Sequence, residues 1–317
     1  YNELEPRRKT GRQAKGMLYV NDSVTDRMKE FATQYLTHTN PYTGARYVDE
    51  PAVMGVLITN ENDLTHHFGN SMLPDSKRPS HQRWFEMKRD RIINALGLDP
   101  NKAWRTWEAG QAKVVLNQIE RDWDVDFIKH LRSIGLKVPI ATTNTFAGCG
   151  LYSLPALTAG DVIDVHAYGM AESLSSNVRY DDMSNHWLAA AQVKGKPLAI
   201  TEWNTEAPQR DRYTQPLLIA AQAAFQGWDA PMIYAYQQSP LAPAIKIDAF
   251  GSSNDPSLIS LMPAAALLYR EQHVKEAQKT IVFAPGEDLL MKYIHAENSP
   301  ALRSISERHR LVIGMPK

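Results

Sequence analysis

Short apolar runs alternating with helical patterns predict a parallel α/β architecture. Three observations carry the prediction. Residues 52–58 are almost uniformly apolar, as in a strand buried on both faces of a parallel sheet. Four similar runs follow at 138–142, 162–168, 198–201 and 232–236, with helical patterns between several of them. Polar residues crowd the C-terminal ends of these runs, where sheets and barrels of this class place their chemistry.

The elements follow in order. The chain opens on Tyr1 with neither a Met start nor an apolar signal region, which reads as a processed product or fragment. A helix is expected over 23–37, capped by Asp22 or Ser23, with Met28, Phe31, Ala32, Tyr35 and Leu36 at helical spacing. Asn40-Pro41-Tyr42-Thr43-Gly44 breaks it. The strand at 52–58 then ends in Thr59-Asn60-Glu61-Asn62. The stretch 63–110 is polar and Trp-containing, with a helix expected around 80–96. A long amphipathic helix over 111–134 places Val114, Val115, Ile119, Trp123, Phe127, Ile128 and Leu131 approximately on one face, and Gly135 stops it. Helices are also expected at 187–193, 215–226 and 258–277. Beyond 279 the runs 280–283, 289–294 and 311–313 read as short strands of a small β appendage over 279–317.

Composition narrows the function. The 317 residues are 43% hydrophobic and 22% charged, with 35 Lys+Arg against 35 Asp+Glu and a pI near 7.3. A neutral chain lacks the net basic field of a nucleic-acid binder, and no apolar run approaches the roughly 20 residues of a membrane-spanning helix. Cys149 is the single cysteine, so neither an intrachain disulfide nor a multi-cysteine zinc site is available. His66-His67 has no second His or Cys pair at ligand spacing, and no metal or other cofactor is expected. Cys149 reads as inert and Arg7-Arg8-Lys9 as a solvated tail.

Two glutamates carry the chemistry. Glu61 and Glu202 each follow directly on an apolar run, where a carboxylate is costly unless solvated or paired. Taken singly, each reads more readily as a capping or rim residue. Together they lie three strands apart in a parallel series. In a closed eight-stranded barrel that spacing lets carboxyl groups approach to roughly 5–5.5 Å, the separation of a retaining glycosidase.

At these residues the chain resembles the clan of retaining TIM-barrel glycoside hydrolases that includes cellulases, β-mannanases and β-galactosidases. Asn60-Glu61 matches the Asn-Glu pair ending that clan's fourth barrel strand, and Thr201-Glu202-Trp203 matches the seventh. His166-Ala167-Tyr168 is similar to the sixth-strand signature. The resemblance covers about 20–275 and implies a (β/α)8 TIM barrel acting on β-linked carbohydrate. It implies Glu202 as nucleophile and Glu61 as acid/base, with Asn60 donating to a sugar hydroxyl. Tyr168, supported by His166, would orient Glu202.

Other positions stay open. Trp203, Trp228, Tyr234, Tyr236 and Phe146 near strand ends offer faces for sugar stacking or serve the core. Trp84, Trp104 and Trp107 anchor the 63–110 insertion or line outer subsites. Asn144 contacts sugar or caps a turn, and Asp164 reads as a paired core carboxylate.

Placing Glu61 on the fourth strand makes the 23–37 helix the third barrel helix. Three βα units ahead of it would need on the order of 90 residues, against about 20 present. The expectation is therefore a barrel lacking strands 1 to 3 in this chain, with residues 1–278 supplying its C-terminal part. The remaining N-terminal barrel portion would come from upstream sequence or a second chain. No nucleic-acid or membrane partner is expected, and a secreted or periplasmic location is favoured. The competing readings are a non-catalytic carbohydrate-binding or scaffold protein on the same fold, and an unrelated metal-dependent barrel hydrolase.

Overall fold

A computed structural model describes residues 16–65, 79–101, 109–146, 151–169, 186–238, 248–292 and 299–316. Its strands are β1 (Val56–Leu57), β2 (Ile140–Ala141), β3 (Asn144–Phe146), β4 (Ile163–Gly169), β5 (Leu198–Thr205), β6 (Asp229–Ile233), β7 (Thr280–Phe283) and β8 (Arg310–Ile313). Its helices are α1 (Asp22–Thr37), α2 (Pro79–Leu96), α3 (Gln111–Ser133), α4 (Leu154–Leu157), α5 (Gln215–Gln226), α6 (Pro256–Ile259), α7 (Met262–Arg270), α8 (Glu287–Lys292) and α9 (Pro300–Ser306). Every pairing with a described register is parallel. The fold is thus α/β with parallel sheets, as the apolar runs predict. No helix among the described residues is long and apolar enough to cross a membrane.

The chain divides into two compact units. The first holds residues 1–144, 152–162 and 287–294. Its core is built by α1, α2 and α3, with Leu36, Phe85, Ile93, Val115, Ile119, Trp123, Phe127 and Leu131 buried together. The side chain of Asn21 caps α1 by accepting the Val24 N–H at 3.2 Å, one position ahead of the expected Asp22 or Ser23. β1 is shorter than its apolar run. It pairs with β2 from Val56, whose N–H donates to the Pro139 carbonyl at 3.0 Å. Pro139 has no N–H of its own to extend the ladder, and Met54 is exposed.

The second unit holds residues 145–151, 163–286 and 295–317, with strand order β3-β4-β5-β6. α5 covers the expected range, with Pro216 in its first turn and Gly227 closing it at φ 67°. The positive φ at Gly227 is the conformation that favours glycine at a helix end. The expected 258–277 helix is broken. Asp255 caps α6 by accepting from Ser257 and Leu258. Pro263, tolerated only in a first turn, starts α7 afresh. The helix expected at 187–193 is a 3-10 turn over His186–Ala191.

The tail differs from the three strands expected. β7 and β8 form as parallel partners, and β8 also bridges Val193 through Ile313. Residues 289–292 lie in α8 instead of a strand. Glu287 and Asp288 stand at its positive N-terminus, and Lys292 pairs with Asp288 at 3.1 Å one turn on. End charges outweigh the local apolar run there.

Candidate active site

Glu61 follows β1 in the first unit. Its backbone sits at φ 46°, in a left-handed region that non-glycine residues seldom occupy. Two side chains following β2 hold this turn. The Glu61 N–H donates to Asn144 Oδ1 at 3.0 Å, and the Asn62 N–H donates to Thr143 Oγ1 at 2.9 Å. Asn62 in turn accepts the Gly16 N–H at 2.7 Å. Asn144 is buried and aims its carbonyl at the Glu61 backbone, and Asn60 is exposed beside it. A strained residue pinned on both sides is a recurrent property of functional turns.

Glu202 lies inside β5, which continues to Thr205, whereas the apolar run ends at Thr201. Its side chain is 19% exposed. Register explains its surroundings. Val165 pairs with Ile200, but His166 pairs with Glu202, so Thr201 is the extra residue of a β-bulge. The bulge sets His166 beside Glu202 and turns Thr201 toward Asp164.

Five polar side chains are linked as a result. The Tyr168 hydroxyl donates to Glu202 Oε2, and His166 Nδ1 lies 3.3 Å from the same oxygen. His166 Nε2 meets Thr201 Oγ1 at 3.2 Å. The Thr201 hydroxyl donates to Asp164 Oδ2 at 2.8 Å, and its N–H donates to Asp164 Oδ1 at 3.2 Å. Burial pushes the Asp164 carboxyl up to about 6, against the bonds from Thr201 and the charge of His166. Tyr168 packs against Phe250 at 4.8 Å, tilted, and against Tyr234 at 6.3 Å, edge-on.

Of the residues nominated from sequence, His166, Tyr168 and Glu202 come together, and Asn144 joins Glu61. Two nominated tryptophans lie elsewhere. Trp203 is adjacent to Glu202 on a strand, so it projects from the opposite face, and it is only 2% exposed. Trp228 is 3% exposed, and both belong to the core. Tyr236, after β6, is 61% exposed and offers its ring to solvent. Trp84 packs partly buried against the first unit's core. Trp104, Trp107, His66, His67, Cys149 and the Arg7-Arg8-Lys9 tail lie outside the described residues, as does the Phe146 side chain.

Sequence reasoning missed a buried support behind β5. The Asn204 amide donates to the Tyr234 and Phe250 carbonyls, both at 2.7 Å. Arg212 donates to the Gly251 carbonyl at 2.9 Å and pairs with Asp255 at 3.0 Å. These bonds fix the segments carrying Tyr234 and Phe250. Nothing local in the sequence marks them, because the partners are up to 46 residues apart.

The chain shares the fold of TIM-barrel glycoside hydrolases, and its individual family is unassigned. Among solved structures it is similar to a cold-adapted β-galactosidase from Rahnella sp. R3, with a TM-score of 0.59 and 16% identity over 94% of this chain and 49% of that one. It is also similar to a GH5_18 protein from Bifidobacterium longum subsp. infantis, with a TM-score of 0.57, 11% identity and coverage of 94% and 67%. An endo-β-1,4-mannanase from Thermotoga petrophila gives 0.50, 14% identity, and coverage of 83% and 56%. The chain thus spans roughly half to two-thirds of the structures it matches. No protein-family model and no curated protein sequence matches it.

Proposed function

We propose that the protein is a retaining glycoside hydrolase acting on β-linked oligo- or polysaccharide. The observation that carries this reading is the setting of Glu202. It is a partly exposed carboxylate on a parallel strand, bonded by Tyr168 and faced by His166, on a fold shared with glycosidases. Glu202 attacks the anomeric carbon and the glycosidic C–O bond breaks. Glu61 gives its proton to the departing oxygen. The glycosyl–Glu202 ester is then hydrolysed by water that Glu61 deprotonates, which restores both carboxyls with net retention. Asn60 donates to the sugar hydroxyl next to the reacting carbon. Among the described residues Tyr236 is the most exposed of the nominated aromatics and would offer its ring to a sugar.

The test uses 2,4-dinitrophenyl 2-deoxy-2-fluoro-β-glycosides of glucose, mannose and galactose, because the fluorine slows breakdown of the ester. At least one should add a single fluorosugar mass to the peptide containing Glu202. Glu202→Ala should lose hydrolysis of the matching aryl glycoside, and azide should partly restore it with an inverted product. Undiminished hydrolysis by Glu202→Ala would end the proposal. A chain that binds oligosaccharide without labelling or hydrolysis would be the non-catalytic carbohydrate binder.

A further inference from the structure

Asp164 is a buried carboxylate that the proposed reaction does not use. It lies on β4 two residues before His166, and therefore on the same face. Its two oxygens accept the N–H and the hydroxyl of Thr201. A hydroxyl carries one proton. With that proton directed to Asp164, Thr201 Oγ1 faces His166 Nε2 as an acceptor at 3.2 Å. Nε2 therefore carries a hydrogen. The ring then presents Nδ1 to Glu202 Oε2 at 3.3 Å. A lone pair on Nδ1 would oppose an ionised Glu202, whereas a second proton there converts the contact to a charge-assisted hydrogen bond.

We propose that Asp164 is a positioning residue: through Thr201 it fixes a proton on His166 Nε2, and so holds His166 as an imidazolium donating from Nδ1 to Glu202. The inference rests on Glu202 being the nucleophile and assigns the device that keeps it ionised. Among the described residues of the second unit, this hydrogen-bonded series links the charged groups Asp164 on β4, His166 beside it, and Glu202 on β5, with the neutral Tyr168 hydroxyl sharing Glu202. Two anions bracket one cation. When Glu202 becomes an ester its charge is lost, while Asp164 still retains the imidazolium proton. Nδ1–H then remains to stabilise the carboxylate as it leaves in the second step.

The first readout needs no substrate. Long-range proton–nitrogen spectra of the full chain, 15N-labelled at histidine, report whether each ring nitrogen bears hydrogen. The His166 signals are assigned by their loss in His166→Gln. Both ring nitrogens of His166 should be protonated at pH 7 in the parent and in Thr201→Ser, which keeps the hydroxyl. Asp164→Asn and Thr201→Val should each show a singly protonated ring. The spectra are repeated in Glu61→Gln, so that titration of the proposed acid/base is not what is read. The second readout is the pH profile of fluoroglycoside labelling. In Asp164→Asn and Thr201→Val labelling should slow tenfold or more, with the acid limb moved to higher pH, and Thr201→Ser should follow the parent. A parent-like ring in Thr201→Val overturns the proposal even where labelling succeeds, and this arm stands if Asp164→Asn does not fold. A parent that is never labelled at Glu202 overturns the nucleophile reading, while the spectra still decide whether Asp164 sets the ring.

Discussion

Asn144 and Glu61 show how one buried amide sets a left-handed turn. Glu61 occupies a left-handed backbone conformation, which costs a non-glycine residue roughly 1–2 kcal/mol. The Asn144 carbonyl compensates by accepting the Glu61 N–H. Asn144→Ala leaves that N–H unmade and should lower stability by about 1–3 kcal/mol. Asn144→Asp keeps an acceptor and should lose less; urea unfolding of the pair measures the difference. At this scale the sequence was informative where a polar residue interrupts an apolar run, which is why Glu61, Glu202, His166 and Tyr168 stand out. It was uninformative about facing. Trp203 follows Glu202 in the chain, yet strand alternation sends it into the core, and the bulge at Thr201 has no local signature.

At the scale of elements, α3 carries an unusual load. Glu120 and Asp124 are one turn apart and fully buried, near Asp63 and the buried Tyr19 hydroxyl. The Leu64 N–H donates to Glu120 Oε2 at 2.7 Å. Neither oxygen of Asp124 has a well-formed hydrogen bond among the described residues, although the Thr142 hydroxyl lies near enough to temper its charge. Burial raises both carboxyls well above the usual range, and for Glu120 the neighbouring Asp124 and Asp63 add to it. The unfolded chain releases these protons near the ordinary carboxylate value of about 4, whereas the folded chain keeps them to higher pH. Above about pH 4 the folded state therefore binds more protons, so stability falls as pH rises. Asp124→Asn keeps the shape without the ionisable proton. It should flatten the fall of the urea midpoint between pH 4.5 and 7.5 and raise stability near neutrality relative to the parent. A steeper profile in the variant would refute this account. The same helix shows why most elements were legible and a few were not. α3 and α5 follow long apolar periodicities, so their ranges emerge almost residue for residue. α8 and the α6–α7 break are set by end charges and by Pro263, which apolar counting does not weigh.

For the molecule as a whole, the neutral charge balance now combines with those buried acids. Lys+Arg and Asp+Glu cancel at 35 each and the pI is about 7.3, so intermolecular repulsion is weakest near physiological pH. The sequence carries ten histidines, and imidazole is the side chain type that ordinarily gains charge between pH 8 and 5, so acidification adds positive charge before most carboxylates are neutralised. The buried carboxyls of α3 act in the same direction, because their protonated forms suit the folded state. Solubility should therefore pass through a minimum at or somewhat above pH 7.3, because the carboxyl protons retained on α3 add positive charge, and rise by pH 5.5, with the thermal midpoint of the folded chain no lower there than at neutrality. Ultracentrifugation of saturated solutions and thermal scans across that range measure both quantities. Loss of folding at pH 5.5 would show that groups other than Glu120 and Asp124 dominate the linkage. A solubility minimum displaced toward acid would show that the histidines do not control the charge. If both expectations hold, the conditions that best preserve the protein lie below its isoelectric point, whereas assays of Glu202 belong near neutrality, where Asp164, pushed up to about 6, is ionised.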